Sequence, residues 1–252
     1  MKTCYFTASG NSLYVARKIG GELISIPQLM KQNDITLEDD AVGIVCPVYC
    51  GEMPMMVRDF LDKSTIRTDY FFFVYTYGMS ETVAKAHAML AVEHMGNKLD
   101  YVSTIKMVDN YLPGFEMKNQ IETAGKKKIE EHLSEICKDI SERKIKRVSV
   151  GPFKKAEIAI IRSAIGKSIM DRNTAKSYIV NDNCIRCGLC AKVCPANNIT
   201  VKESVEFSDR CEVCYACVHS CPKNAIHLKS EKSAERFRNE HISVMDIVTA
   251  NE

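Results

Sequence analysis

The chain has 252 residues, which is long enough for one large domain or two small ones, each with its own core. Hydrophobic residues make up 46% and charged residues 26%, ordinary proportions that exclude a largely disordered chain. The formal net charge of +2 argues neither for nor against nucleic acid, and we expect no nucleic-acid partner. No stretch approaches the ~18 uninterrupted apolar residues of a membrane span, and the N-terminus lacks a signal peptide's apolar run. The sequence predicts a soluble, cytoplasmic protein.

The first 150 residues alternate strand-like and helix-like segments. Strands are predicted at 2–6, 23–26, 41–46, 70–77 and 99–107, with helices beginning near residues 13, 54, 81 and 121 between and after them. Unbroken apolar runs such as Tyr70–Tyr77 are typical of strands in a parallel sheet that is covered on both faces. We therefore predict an α/β doubly wound domain at 1–150, with five parallel strands.

Three more segments follow this domain. Residues 151–179 are predicted to form a helical connection, and residues 180–229 contain a cysteine repeat. Residues 230–252 include apolar side chains such as Ile247, so we expect a closing tail or helix that packs against the rest of the protein.

Cysteine is the most unusual feature of the composition, because eight of the twelve cysteines lie within residues 184–221. Disulfides do not persist in the cytosol, so thiols crowded in this way indicate metal binding. The spacing C-x2-C-x2-C-x3-C-P occurs twice. The two repeats also match beyond the cysteines, because Asn197 aligns with Asn224 and Ile199 aligns with Ile226. The cysteines of the two motifs are Cys184, Cys187, Cys190 and Cys194, then Cys211, Cys214, Cys217 and Cys221.

This spacing is typical of two-cluster ferredoxins, in which the fourth cysteine of each motif ligates the other cluster. We therefore predict two [4Fe–4S] clusters with crossed ligands. One takes Cys184, Cys187, Cys190 and Cys221, and the other takes Cys211, Cys214, Cys217 and Cys194. A pair of structural zinc sites is the alternative, but zinc ligands usually come as two pairs across a longer loop, so the triads favour iron–sulfur clusters.

The loop between the first strand and the first helix is rich in hydroxyl groups. Hydroxyls, a glycine and a helix N-terminus together predict a phosphate site formed by Thr7, Ser9, Gly10, Asn11 and Ser12. The loop has neither a Gly-Lys-[Ser/Thr] ending nor a G-x-G-x-x-G pattern, so it favours a phosphate monoester over ATP or a standard dinucleotide. A capped helix without a ligand is the alternative.

Three more loops are expected at the same edge, because a ligand of an open α/β sheet lies beyond the carboxyl ends of its strands. Each of these loops carries a tyrosine that is able to stack on a planar isoalloxazine ring. In the alternative interpretation, individual tyrosines only cap the core. The predicted ring contacts are Pro47, Val48, Tyr49, Tyr77, Gly78, Asn110 and Tyr111.

These motifs carry a family resemblance. Thr7, Ser9, Gly10 and Ser12 match the flavodoxin pattern [Thr/Ser]-x-[Thr/Ser]-Gly-x-[Thr/Ser], so residues 1–150 resemble a flavodoxin, which implies the strand order 2-1-3-4-5 and bound FMN. The cysteine region resembles a small α+β bacterial 2[4Fe–4S] ferredoxin. This order of domains, with Glu-Arg-Phe-Arg-Asn at 235–239, resembles the EFR1-family ferredoxins over essentially the whole chain. Ala8 and Ser9 depart from the Gly and Thr often found there, although Ser9 keeps the hydroxyl.

The resemblance implies an electron carrier in which two clusters and FMN exchange single electrons, with donor and acceptor proteins as partners. One alternative is an FMN-dependent reductase of a small organic acceptor bound over the flavin. Another is a cluster-stabilised interaction module without flavin. Cys4, Cys46 and Cys50 could form a redox or metal group near the presumed flavin loop. Because the spacing from Cys46 to Cys50 matches no recognised site and Cys46 ends a strand, buried apolar thiols are expected instead.

Overall fold

The computed structural model describes residues 1–81, 83–161, 163 and 170–252. Residues 162 and 164–169 of the predicted connection lie outside the described residues. The elements of the first part are, in chain order, β1 (Lys2–Tyr5), α1 (Asn11–Ile19), β2 (Glu22–Ser25), α2 (Ile26–Leu29), β3 (Ile35–Glu38), β4 (Ala41–Pro47), α3 (Met55–Lys63), β5 (Ser64–Arg67), β6 (Tyr70–Tyr77), α4 (Ala84–His94), β7 (Tyr101–Lys106), α5 (Met117–Glu122) and α6 (Ile129–Ser141).

The second part begins with a helix in the predicted connection and continues through short elements around the cysteines. Its elements are α7 (Pro152–Ile161), β8 (Ile179–Val180), α8 (Leu189–Lys192), β9 (Ile199–Val201), β10 (Val205–Phe207), α9 (Ala216–His219), β11 (Ile226–His227) and α10 (Val244–Asn251). In this part β8 pairs antiparallel with β11, and β9 pairs antiparallel with β10. None of the helices within the described ranges is long and apolar enough to cross a membrane.

The main sheet has five strands in the order β2-β1-β4-β6-β7, which is 2-1-3-4-5 when only these strands are numbered. All neighbouring strands are parallel. Helices α1 and α6 contact each other over one face, and α3 and α4 pack together over the other, as right-handed crossovers require. Cover on both faces explains why β4 and β6 are almost entirely apolar and buried. The predicted five-stranded parallel α/β sheet is confirmed.

Gly43 of β4 leaves room for an aromatic ring on the neighbouring strand. A Cβ atom at Gly43 would lie 1.9 Å from the ring of Phe72, a side chain that is fully buried. Gly43→Ala is expected to destabilise the protein by about 1–3 kcal/mol, because the ring has to leave its place in a close-packed core. Denaturant unfolding measures this loss. The control is Gly125→Ala, where a Cβ meets no described atom within 4 Å, and an equal loss in both variants contradicts the packing argument.

One prediction about the elements was wrong, and one pair of strands was not predicted. The single helix expected over 121–140 is divided into α5, a 3-10 turn and α6, because Lys128 adopts a left-handed backbone with φ of 49° just before α6. Ile121, near which this helix is predicted to begin with an apolar face toward the core, is 44% exposed. The parallel pair of β3 and β5 was not predicted, since both strands are short. β3 alternates buried and exposed positions over four residues, and β5 has only one buried residue among its four.

The predicted closing tail is a helix, α10, that contacts both parts of the chain. The Gln28 side chain of α2 donates to the Thr249 carbonyl at 2.6 Å. The Asn251 side chain donates to the carbonyl of Val193, between two cysteines of the first motif, at 2.9 Å. Ile247 and Val248 are buried in the same hydrophobic core as the sheet. The tail therefore fixes the sheet domain and the cysteine region against each other.

Candidate cofactor sites

The two cysteine motifs have the same unusual backbone conformation at equivalent positions. Positive φ angles occur at 53° in Arg186 and Val213, and at 49° and 47° in Asn197 and Asn224. Gly188 and Tyr215 are a third pair, with φ of 76° and 60°. Each pair is separated by the spacing of the sequence repeat, from Cys184 to Cys211. Left-handed residues at these points curl each segment into a tight loop that turns its cysteines inward.

Two cavities gather the cysteines into two sets, each with three cysteines of one motif and the last cysteine of the other. The first cavity is lined by Cys184, Cys187, Cys190 and Cys221. The second is lined by Cys211, Cys214, Cys217 and Cys194. Across the described residues no three His, Cys, Asp or Glu side chains converge as they would on one metal ion. In a cubane cluster each thiolate binds a different iron.

Backbone amides surround several of these sulfur atoms. The amides of Asn198 and Val213 donate to the sulfurs of Cys194 and Cys211 at 3.3 Å, and the amide of Ala225 donates to Cys221 at 3.2 Å. Burial raises the pKa of the Cys194 and Cys211 thiols, while the backbone amides partly oppose that shift. A bound metal needs the thiolate form, so loading these sites releases protons. With an iron–sulfur cluster bound, these amide hydrogen bonds to sulfur would help to set its reduction potential.

The two cysteine sets differ in exposure. Cys187 of the first set is exposed, whereas Cys214 of the second is 7% exposed and Cys194 and Cys211 are each 9% exposed. The second set lies deeper because it faces the sheet domain: the carboxylate of Glu212 accepts from the amide of Met56, at the start of α3, at 2.9 Å. The first cavity is therefore the outer one and the second the inner one.

The predicted phosphate loop lies between β1 and α1, with Gly10 at φ of 98° just before the helix. The Ser12 hydroxyl shares a hydrogen bond of 2.9 Å with the hydroxyl of Thr76, and the Ser9 hydroxyl accepts from the Asn110 side chain at 3.1 Å. Thr7 Oγ1 is buried and has no hydrogen-bond partner among the described residues. The loop borders a polar cavity of about 50 Å³, lined by Thr7, Ala8, Ser9, Asn11, Ser12, Pro47, Val48, Tyr49, Thr76, Tyr77, Gly78, Val108, Asp109 and Asn110.

A larger, mostly apolar cavity of about 350 Å³ adjoins the polar one. Pro47 and Tyr77, predicted as ring contacts, line the polar cavity, whereas the other predicted contacts reach the larger one. Cys4 and Cys46 are fully buried in the core, as expected, but Cys50 lines this cavity. The lining residues are Val48, Tyr49, Cys50, Gly51, Gly78, Met79, Ser80, Asp109, Asn110, Tyr111, Phe115, Met170, Val213 and Tyr215.

Asp109 lines both cavities and was not predicted. Its carboxylate accepts from the amide of Tyr111 at 3.0 Å, and burial raises its pKa. A Cβ atom at Gly78 would lie 2.1 Å from Asp109 Oδ2, so Gly78 has to remain without a side chain. The position of Asp109 in the loop three residues after the end of β7 was the available sequence signal.

The C-terminal tail supports the phosphate loop from behind. The backbone amide of Asn239 donates to the Ser9 carbonyl at 2.8 Å, and its side chain donates to Asn11 Oδ1 at 3.1 Å. The Asn11 side chain donates in turn to the Val108 carbonyl at 3.0 Å. A Cβ atom at Gly10 would lie 2.9 Å from Cβ of Ile242, so the tail and the loop are in close contact.

His219, on α9 between two cysteines, connects the cysteine region to the loop after β7, which carries the predicted ring contacts Asn110 and Tyr111. Its Nδ1 accepts from the amide of Phe237 at 3.1 Å, which leaves Nε2 to donate to the Asn110 carbonyl at 2.9 Å. Burial lowers the pKa of this imidazole to about 4. The neutral tautomer therefore links three segments: α9, the tail and the loop after β7.

Comparison with known proteins identifies part of the cysteine region. Residues 177–200 match the family model Fer4, the 4Fe–4S binding domain. The chain therefore contains a ferredoxin-like iron–sulfur segment there. No curated protein matches the chain. Among solved structures, a Trp repressor binding protein from Bacillus subtilis matches at 8% identity and a TM-score of 0.31, over 50% of this chain and 99% of that one. A likeness this slight carries no conclusion about fold or function.

Proposed function

We propose that this protein is an electron-transfer flavo-iron–sulfur protein with FMN in the sheet domain and two [4Fe–4S] clusters in the cysteine region. Iron–sulfur chemistry in general follows from the matched 4Fe–4S segment. The two-cluster count and the FMN are supported by one observation: the chain has two cysteine-lined cavities together with a hydroxyl-rich polar cavity that contains an unsatisfied hydroxyl.

The donors around the polar cavity suit a phosphate monoester. A buried hydroxyl without a partner is costly, and Thr7 Oγ1 has none within the described part of the chain, so a ligand oxygen is its natural partner. Ser9 and Ser12 add hydroxyls, and α1 begins at the cavity with its positive dipole end. The adjoining apolar cavity, with Tyr49 and Tyr111 in its wall, suits a planar aromatic ring.

The chain's own residues bind and orient the cofactors. Bound FMN supplies a carrier of one or two electrons, and each cluster supplies a carrier of one. The Ser9 and Thr7 hydroxyls hold the phosphate, while the tyrosine rings exclude water from the flavin. The eight cysteine thiolates hold the irons in the two crossed sets. The physiological partners are a one-electron donor and a one-electron acceptor.

Cofactor analysis of the full chain tests this proposal. After anaerobic reconstitution we expect one extractable FMN and about eight irons per chain. Flavin has to be assayed after acid extraction, because iron–sulfur absorption covers the flavin bands. Iron without flavin contradicts electron exchange between FMN and the clusters and leaves the cluster-stabilised interaction module as the alternative. Zinc in place of iron contradicts the proposed iron–sulfur clusters.

The size of the larger cavity favours a second candidate, a reductase of a small organic acceptor. Met79, Phe115 and Met170 extend its apolar wall beyond the predicted ring contacts, which leaves a surface for a second planar or apolar molecule. Steady turnover of an organic acceptor, with reduced ferredoxin as the donor, distinguishes this function from electron transfer alone.

Asn239→Ala is expected to weaken FMN binding about tenfold, because the tail no longer holds Asn11 and the phosphate loop in place. Lumiflavin, which has the ring but no phosphate, is expected to bind both forms alike. The control is Asn97→Ala, which removes a hydrogen bond of 2.9 Å to the Ile66 carbonyl. Fluorescence titration measures both ligands, and an equal loss for lumiflavin contradicts a role at the phosphate.

A further inference from the structure

One side chain, Tyr215, separates the larger apolar cavity, hereafter the ring cavity, from the inner cysteine cavity. It lines the 350 Å³ cavity together with Tyr111, and it also lines the cavity of the second cysteine set. The outer cysteine cavity has no lining residue in common with the ring cavity as far as the described residues extend. The ring cavity therefore adjoins the second cysteine set and not the first.

Backbone and packing fix Tyr215 in this position. It has a left-handed backbone, with φ of 60°, directly before α9, and it is 7% exposed. Its ring lies 6.0 Å from the ring of Tyr111 on the flavin side and 6.3 Å from the ring of Tyr178 on the cysteine side. Neighbouring rings at these distances hold each other in place.

Two further contacts hold the inner cysteine set against the sheet domain. Cys214 is buried in the hydrophobic core that contains the strands of the sheet, and Tyr49 packs against that core. His219 ties α9 to the carbonyl of Asn110 at 2.9 Å. The first set lacks this cover at Cys187, which is exposed.

We propose that Tyr215 contacts both the flavin ring and the second cluster, so that the cluster of Cys211, Cys214, Cys217 and Cys194 is the flavin's neighbour and the cluster of Cys184, Cys187, Cys190 and Cys221 faces outside partners. The inference rests on the proposed function, since it takes FMN and both clusters as bound. It adds an order to them, with one inner and one outer cluster.

Paramagnetic NMR of the oxidised, cluster-loaded full chain tests the order without measuring activity. The Cβ protons of cluster-bound cysteines are shifted out of the protein envelope and report on each cluster separately. FMN added to flavin-free protein is expected to move the signals of the second set only. Cys187→Ala, which retains the second cluster and about four irons, is expected to keep this response, and Cys217→Ala is expected to lose it.

Ring binding tests the contact with Tyr215 directly. Tyr215→Phe is expected to keep lumiflavin affinity within about twofold, and Tyr215→Gly to weaken it about tenfold. Glycine suits the left-handed backbone, so the second variant removes the ring without adding strain. Tyr178→Phe is the control.

The outcomes separate the two proposals. A chain that takes up no FMN or no iron overturns the proposed function together with this inference. FMN bound beside two intact clusters, with its effect on the first set or on neither set, overturns the inference alone. Lumiflavin affinity that does not change in Tyr215→Gly also overturns it. If Cys217→Ala does not fold, Cys187→Ala and the Tyr215 variants still decide the question.

Discussion

Thr7→Val is expected to weaken FMN binding by about 10- to 100-fold and to leave the flavin-free protein as stable as the wild type, or slightly more stable. Thr7 Oγ1 is buried, and none of the residues that the structure describes accepts from it or donates to it. Valine keeps the shape of the side chain and removes a hydroxyl that is unsatisfied until phosphate binds. A hydrogen bond to a charged phosphate contributes about 1.5–3 kcal/mol, which sets the expected loss. Fluorescence titration gives the affinity, and denaturant unfolding gives the stability.

Thr3→Val is the matched control for this variant. Thr3 is also buried on β1, but its hydroxyl donates to the Gly20 carbonyl at 2.7 Å. We expect this variant to lose about 1 kcal/mol of stability and none of its FMN affinity, because a satisfied hydrogen bond is removed far from the phosphate loop. A Thr7 variant that loses stability but binds FMN normally contradicts the phosphate site.

The sequence was sufficient for the centre of the main sheet, because β4 and β6 are long and continuously apolar. Tyr70–Tyr77 was predicted with both of its ends, since buried parallel strands carry their own pattern. The pair of β3 and β5 gave no comparable pattern, because β3 alternates buried and exposed residues and β5 buries only one residue. The break before α6 depends on the left-handed backbone of Lys128, a residue type that gives no signal of a break, although Gly125 stands in the 3-10 turn just before it. Hydrophobic periodicity does not detect such a break.

The candidate sites divide in the same way between local and distant contacts. The phosphate loop and the cysteine motifs are contiguous patterns in which spacing determines the local geometry, so the sequence was enough to find them. Asn239 lies 228 residues from Asn11, its hydrogen-bond partner, and Tyr215 reaches the ring cavity only through the packing of two domains. Such contacts follow from tertiary structure, which a single sequence does not contain.

Double substitutions of cysteine give the second large expected effect. Cys194→Ala combined with Cys217→Ala removes two cysteines from different motifs but from one cavity, so we expect about four irons per chain to remain. Cys190→Ala combined with Cys194→Ala removes two neighbours in one motif that line different cavities, so each cluster loses a ligand. We expect almost no iron to remain. Iron per chain after anaerobic reconstitution and gel filtration measures both variants.

An uncrossed arrangement, with each motif ligating its own cluster, reverses these two results. The Cys190 and Cys194 pair then keeps about four irons, and the Cys194 and Cys217 pair keeps almost none. Cys137→Ala is the control, because Cys137 is a half-buried cysteine on α6 that lines neither cavity, and it is expected to keep about eight irons. Near-total loss of iron in both double variants indicates clusters that need each other to assemble. That result contradicts two independently stable sites.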